Sequence, residues 1–255
     1  MRILSWNLNV RRDCAGQVAA LAALAPDVVA LQEVTRRSES ALRPLLSDSG
    51  LTHFASGLDS APALSPPVLD RFVIVASRWP IEVVPVKGLP APQVGVHVRV
   101  SSIAFPLEVL GVHVPTVTRG PLKTETQEGI AAHLALHRDH AIVACGDFNS
   151  PKLESPEGVV EPFELRSHVR ERAAELSLMT GLRELGFADC FRAIHGYGVD
   201  APSWFWKNRG RTGGFRLDHI FASASLKTTA CWYEHGFRDR LSDRAAVVAD
   251  VRPRD

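Results

Sequence analysis

Ala141-Ile142-Val143-Ala144-Cys145-Gly146-Asp147-Phe148-Asn149-Ser150 is the stretch on which the reading of this chain turns. Its five leading apolar residues, stopped by a glycine, read as a strand covered on both faces. Asp147 and Asn149 then stand at the strand's C-terminal end, where polar groups from several strands can converge on one rim of a sheet. The same arrangement recurs to either side. Arg2-Ile3-Leu4-Ser5-Trp6 runs into Asn7-Leu8-Asn9, and Val28-Val29-Ala30-Leu31 runs into Gln32-Glu33. Leu107-Glu108-Val109-Leu110-Gly111-Val112 runs into His113-Val114-Pro115. Later, Arg216-Leu217-Asp218 opens the strand Leu217 to Ala222, and Leu241-Ser242-Asp243-Arg244 precedes the strand Ala246 to Val251. Phe72-Val73-Ile74-Val75 also reads as a strand. A glutamate closing a run as apolar as Val28 to Leu31 needs its charge compensated. A hard divalent cation would do so, since Mg²⁺ takes oxygen ligands from one or two carboxylates, keeps several waters and completes its shell with substrate phosphate.

Between these strands, Gln17 to Leu24, Arg36 to Leu46, Thr124 to His137 and Leu165 to Leu185 carry helical patterns. In the third, Ile130, Leu134 and His137 fall on one side. Pro62, Pro66 and Pro67 mark one loop, and Pro151, Pro156 and Pro162 mark another over 148–163. No repeat, low-complexity tract or linker divides the chain, and strands recur from residue 2 to residue 251. A single domain over 1–255 is expected, α/β or α+β, with mixed sheets covered by helices.

Lys and Arg number 29 against 28 Asp and Glu, a formal net charge of +1, so an anion-binding surface has to be local rather than global. Met1 leads directly into Arg2-Ile3-Leu4 without the apolar core of a secretory signal, and the apolar runs are far shorter than the ~18 residues of a membrane span. The four cysteines (14, 145, 190 and 231) form no CxxC pair and read as free thiols. A cytoplasmic protein is expected, with no membrane and no obligate protein partner.

Each polar group has an ordinary reading alone. Asn7, Asn9 and Asn149 would cap turns, Asp218 would pair with Arg216, Asp243 would cap a helical turn, and His113 would be a packed histidine. In this order, however, Ser5-Trp6-Asn7-Leu8-Asn9, Leu31-Gln32-Glu33, His113-Val114-Pro115, Gly146-Asp147-Phe148-Asn149-Ser150, Arg216-Leu217-Asp218 and Ser242-Asp243 resemble the motif series of the exonuclease III / DNase I-like superfamily, the endonuclease/exonuclease/phosphatase proteins. The resemblance implies a four-layer sandwich of two packed mixed β-sheets flanked by helices, and Mg²⁺- or Mn²⁺-dependent hydrolysis of phosphoesters. It assigns Glu33, Asn7 and Asp243 to the metal. Asp147 would orient or deprotonate the attacking water, Asn149 would donate to a phosphate oxygen, and His113 would hydrogen-bond the scissile phosphate or protonate the leaving group. Asn9 falls beside substrate.

One position departs from the pattern. Members of the superfamily usually end in Ser-Asp-His, where this chain has Ser242-Asp243-Arg244. The usual histidine pairs with the aspartate at Asp218 and contacts the reacting phosphate. Arginine does no proton chemistry, but it can pair bidentately with Asp218 or clamp a phosphate. Either Arg244 stabilises developing charge while Asp147 and His113 share the proton work, or the site binds phosphate without cutting it. The first reading is favoured, because the metal-side residues are all present. His219 and His235 match no family position.

Residues 203–216 hold Trp204, Phe205, Trp206 and Phe215 together with Lys207, Arg209, Arg211 and Arg216, and no acid. Aromatic faces stack on bases while cations follow the backbone, so the segment reads as a nucleic-acid loop. Its ordinary reading is a tryptophan-anchored strand with a solvated hairpin. It is also similar to the segment of abasic-site endonucleases in which aromatics at the positions of Phe205 and Phe215 wall the sugar pocket. Those enzymes carry tyrosine where this chain has His113, so the two clues diverge. Arg119, Lys123 and Lys152 are candidates to extend a basic patch. The sequence therefore points to a metal-dependent phosphodiesterase, with DNA as first substrate. A small or lipid-derived phosphoester and a non-cleaving binding module are the alternatives.

Overall fold

The computed structural model describes residues 1–60, 71–163, 169–238 and 240–254. In chain order the elements are β1 (Arg2–Asn7), α1 (Cys14–Ala22), β2 (Val28–Val34), α2 (Arg36–Asp48), β3 (His53–Ser56), α3 (Gly57–Ser60), β4 (Phe72–Ser77), β5 (Ile81–Val84), β6 (Gly95–Val100) and β7 (Leu107–His113). There follow α4 (Pro121–His137), β8 (Ile142–Asp147), β9 (Leu153–Glu154), β10 (Val160–Glu161), α5 (Val169–Met179), α6 (Gly181–Glu184), β11 (Ala188–Asp189), α7 (Cys190–His195), β12 (Trp204–Asn208), β13 (Arg211–Phe215), β14 (Asp218–Ala222), β15 (Leu226–Glu234) and β16 (Ala246–Pro253).

These strands assemble into two six-stranded mixed sheets, β15-β16-β1-β2-β4-β3 and β11-β14-β8-β7-β6-β5. Each contains a parallel pair, β1 with β2 and β7 with β8. Residues alternate between faces along a strand, and both faces of the central strands are apolar. Val28 and Ala30 of β2 therefore join Val73, Val98, Val109 and Val143 in the core between the sheets. Val29 and Leu31 face outward onto Val18, Leu21, Leu42 and Leu46 of α1 and α2. On the other side, Leu110, Val112 and Ala144 meet Ile130, Leu134, Leu178 and Leu182 of α4, α5 and α6. The order helix, sheet, sheet, helix is the four-layer sandwich expected. The sheets approach closely at Gly111, where an added Cβ would lie 3.0 to 3.2 Å from Val73, Val75 and Ala30.

Several sequence expectations are corrected. The helix expected over Leu165 to Leu185 begins, within the described residues, at Val169, and it stops at Met179 with a separate turn Gly181–Glu184. The segment read as a loop over 148–163 contains the short hairpin of β9 and β10. Strands β3, β5, β6 and β15 were not expected. The Pro62, Pro66 and Pro67 segment lies outside the described residues. Among the described residues no helix is long and apolar enough to cross a membrane, and all four cysteines are free and buried.

Candidate active site

Backbone geometry aims the polar groups. Pairing of β2 with β4 slips between Leu31 and Val34, and Glu33, within that bulge, has φ +55°. A bulge re-aims a side chain at a sheet rim. A left-handed glutamate costs roughly 1–3 kcal/mol that surrounding structure has to sustain. Asn9 and Asn149 also adopt positive φ, +50° and +46°, a conformation asparagine tolerates better. Thr35 caps α2 in a reciprocal bond with Ser38 and so fixes the chain leaving Glu33. Beside Asp147, Gly146 has φ +155°, and a Cβ there would fall 1.9 Å from the Val112 carbonyl oxygen. Glycine is required at that point.

At the common rim of the two sheets, Asn7 Nδ2 donates to Glu33 Oε1 at 3.2 Å and to Asp147 Oδ2 at 2.9 Å. Its Oδ1 accepts from the Asn9 backbone N–H at 2.8 Å. Motifs from opposite ends of the chain are tied together here. Ser242 Oγ donates to the Asn7 carbonyl at 2.6 Å, the Arg244 N–H donates to Ser242 Oγ at 3.1 Å, and the buried Trp6 Nε1 donates to the Arg244 carbonyl at 3.1 Å. His113 pairs with Asp147 in the β7–β8 register, and its Nε2 lies 3.8 Å from Glu33 Oε1. The Asn149 N–H donates to Asp147 Oδ1 at 2.9 Å, and Asn149 Nδ2 donates to the Val114 carbonyl at 2.7 Å.

Arg244 is buried and spans two carboxylates. Its Nη2 is 2.9 Å from Asp147 Oδ2, and its Nη1 is 3.3 Å from Asp218 Oδ2. Burial opposes its charge, but Asp147 and Asp218 outweigh burial and raise its pKa further. Asp218 also accepts from Ser203 Oγ at 2.5 Å, while its Oδ1 is buried without a partner. Burial, with the nearby charge of Asp147 and against the pull of Arg244, pushes the Asp218 carboxyl up to about 7. Asp218 does not pair with Arg216. That arginine instead makes a buried cluster with Glu154 and Asp189, joined by Arg192 and by His219.

A cavity of about 380 Å³ opens beside this cluster, walled by Phe163, Trp204 and Phe215 and floored by Asn149, Asp243 and Arg244. Trp204 and Phe215 pair across β12 and β13 with rings stacked 6.0 Å apart. Trp204 Nε1 donates to Asp243 Oδ2 at 3.0 Å. Phe205 faces the other way, against Arg238 at 3.9 Å. Lys207, Arg209 and Arg211 are exposed along the hairpin away from the cavity lining. Lys123 is no surface cation. It is buried under the site, 2.6 Å from Glu175, with its Nζ donating to the Asn149 carbonyl at 3.0 Å. Lys152 pairs with Glu161 in an exposed bridge.

Sequence reasoning missed Arg71, whose Nη1 is 2.6 Å from Glu33 Oε2; it follows the proline-marked loop and belongs to no motif. It also missed Phe163 and the arginines near the site. A second cavity, of about 610 Å³, is lined by Arg11, Arg12, Arg36 and Arg37. These follow Asn9 and Glu33 closely in the chain, which was the available signal.

The donor set suits a hard cation. Glu33 is only 9% exposed, and the guanidinium paired with it, Arg71, has a side chain 46% exposed and so is displaceable. Asp147 lies across the Asn7 amide from it, and Asp243 stands at the neighbouring cavity.

The Endonuclease/Exonuclease/phosphatase family model matches residues 4–243. No curated protein matches the chain. Among solved structures, the chain is similar to an AP endonuclease from Archaeoglobus fulgidus, at 20% identity and a TM-score of 0.72 over 98% of each chain. It is also similar to the 3′ phosphatase NExo from Neisseria bound to a product DNA hairpin, at 21% identity and 0.69 over 99% of each. An endonuclease/exonuclease/phosphatase from Beutenbergia cavernae shares 22% identity at 0.71, over 99% of this chain and 71% of that one. At such identities the structural likeness speaks to the fold. Motif order, sandwich and family match agree, and the chain belongs to the Endonuclease/Exonuclease/phosphatase family.

Proposed function

We propose that the 255 residues act as one catalytic domain, a divalent-metal-dependent phosphodiesterase with DNA as its first substrate. The observation that carries this reading is the meeting of Glu33 and Asp147 at a single amide, Asn7 Nδ2. Asp147 is joined through Arg244 and Asn149 to a cavity with three aromatic walls. Glu33, Asn7 and Asp243 would hold Mg²⁺ or Mn²⁺ at the expense of the Arg71 pair. The bound ion would supply charge neutralisation on the phosphate and a more acidic water.

The remaining chemistry belongs to the side chains. Asp147 orients a water, its own position fixed by Asn7, Asn149 and Arg244. His113, facing Glu33, reaches the phosphate or the leaving oxygen. Arg244 keeps its charge at all relevant pH values, so it stabilises the developing charge electrostatically and transfers no proton. Trp204 and Phe215 offer flat faces to a base or sugar, worth roughly 1–3 kcal/mol per stacked base. The four arginines that line the larger cavity offer positive charge to a phosphate backbone. Four buried free thiols favour a reducing compartment, the cytoplasm.

A second reading has its own support. Arg71 on Glu33 and Arg244 on Asp147 already neutralise both carboxylates, as a phosphate-binding module without turnover would require. A panel of plasmid, abasic duplex, single strands and phosphomonoesters, assayed with Mg²⁺ or Mn²⁺, separates the readings. Metal-dependent DNA cleavage is expected. Turnover of bis-p-nitrophenyl phosphate alone would move the substrate to a small phosphoester. DNA binding indifferent to EDTA, with no turnover of any substrate, would replace the enzyme reading altogether.

A further inference from the structure

At the opposite end of β7 from His113, four histidines gather around Glu108. Glu108 and His113 are five residues apart on one strand, about 16 Å by strand rise, so this cluster is separate from the active site. His97 comes from β6, Glu108 from β7, His133 and His137 from α4, and His140 from the turn before β8. His133 and His137 are four residues apart and share one helix face. Ligand atoms of His97, His133 and His137 lie within 4.8 Å of one another, as do those of Glu108, His137 and His140.

The decisive atom is His97 Nε2. His97 is fully buried, and this nitrogen has no hydrogen-bond partner although Glu108 Oε2 is 3.2 Å away. Its other nitrogen, Nδ1, is 2.9 Å from His133 Nε2. If Nδ1 carries the proton and donates to His133, Nε2 turns a lone pair toward a carboxylate oxygen. Two facing electron pairs in a buried place call for a cation between them. His137 Nδ1 is 3.0 Å from the same Oε2, and His140 Nδ1 is 3.0 Å from Oε1. Donor atoms around a tetrahedral Zn²⁺ with bonds near 2.0–2.1 Å sit about 3.3 Å apart, which is close to these separations. Arg99 engages Oε1 at 3.0 Å, beside His140, and leaves Oε2 to His97 and His137.

We propose that this cluster is a second metal site, for one zinc-class divalent cation held by Glu108, His137 and His140, with His97 Nε2 facing the same carboxylate as a further donor and His133 fixing the tautomer of His97. Imidazole donors select zinc, nickel or copper over magnesium, so the site would not compete for the ion of the phosphoester centre. A ligand whose second nitrogen is held by a partner is the usual arrangement in such sites.

The test uses the full chain carrying Glu33→Gln, which disables the first site, after stripping with EDTA. Titration with Co²⁺ or Zn²⁺ is expected to show one bound equivalent per chain. Co²⁺ should give a visible absorption band, and Zn²⁺ should raise Tm. Adding His137→Gln should weaken the binding at least tenfold and remove the Tm shift while circular dichroism stays unchanged. Should that variant unfold, His140→Gln, whose side chain is 48% exposed, is titrated instead with the same expected weakening. Failure of Glu33→Gln protein to take up either ion, or undiminished binding after the histidine substitution, overturns the proposal.

Discussion

Arg244 is the residue on which the chemistry of this chain differs from the pattern it otherwise follows. It contributes one guanidinium to two buried carboxylates, Asp147 and Asp218. Removing one partner of a buried ion pair typically costs about 3–5 kcal/mol, because the remaining charge is left uncompensated. Arg244→Met is therefore expected to destabilise the fold by about that amount at pH 8, read from urea melts. The loss should shrink at pH 5.5, where Asp218 takes up a proton. Burial raises the Asp218 carboxyl from 3.8 to about 7. Its stability contribution is thus complete below pH 3.8 and is lost as pH rises through about 7. Activity should run the other way. An ionised Asp218 anchors Arg244, so kcat is expected to rise through pH 7, and Asp218→Asn should flatten that limb. A limb unchanged by Asp218→Asn would remove Asp218 from the chemistry. At this scale the meeting of Asn7, Glu33 and Asp147 was legible in the sequence, since each is polar punctuation after an apolar run. Arg71 was not readable, because its place opposite Glu33 depends on β4 pairing with β2 in a register the sequence does not state.

The β12–β13 hairpin makes the case for elements. Strand alternation puts Trp204 and its partner Phe215 on the cavity face and Phe205 on the opposite face with Arg238. The resemblance alone paired Phe205 with Phe215, whereas the period of two, applied to Trp204-Phe205-Trp206, separates them. Trp204→Ala and Phe215→Ala are expected to raise KM on single-stranded or abasic DNA by about 5- to 100-fold, the range of a lost base stack. Phe205→Ala should leave KM within about twofold, comparable to other surface changes. Equal effects at all three positions in steady-state kinetics would contradict the assignment of faces. The strands that sequence reading missed are informative as well. Central β1, β2, β7 and β8 are apolar on both faces and stand out. Edge strands β5 and β15 (the latter Leu-Lys-Thr-Thr-Ala-Cys-Trp-Tyr-Glu) mix polar and apolar residues, and only pairing with a neighbour makes them strands.

Across the whole molecule, charge clusters hold distant segments together. Arg216 and Arg192 meet Glu154 at 2.6 and 2.8 Å, and Arg216 meets Asp189 at 2.8 Å, joining β9, β11, α7 and the segment before β14. Although burial opposes it, the two arginines pull the Glu154 carboxyl from 4.5 down to about 2. A depressed carboxylate stabilises the fold above its ordinary pKa and loses that contribution as pH falls. Stability should therefore decline between pH 4.5 and 2 by on the order of 3 kcal/mol from this group. Glu154→Gln should lower Tm at pH 7 and weaken its further fall on acidification, as calorimetry at several pH values would read. None of this cluster was foreseen, since Glu154 lies in a segment read as loop and Arg216 was matched to Asp218 by adjacency.

The central claim is that Glu33 holds a divalent ion against a phosphoester while Asp147, brought beside it from 114 positions away in the chain, orients the attacking water. Its most direct test is the initial rate of bis-p-nitrophenyl phosphate hydrolysis by EDTA-stripped protein as Mg²⁺ or Mn²⁺ is added back, wild type beside Glu33→Gln. Metal-dependent turnover in the wild type, and a rate at least a hundredfold lower in the variant with unchanged circular dichroism, is the predicted result. A rate that ignores the metal, or one equal in both proteins, would contradict it.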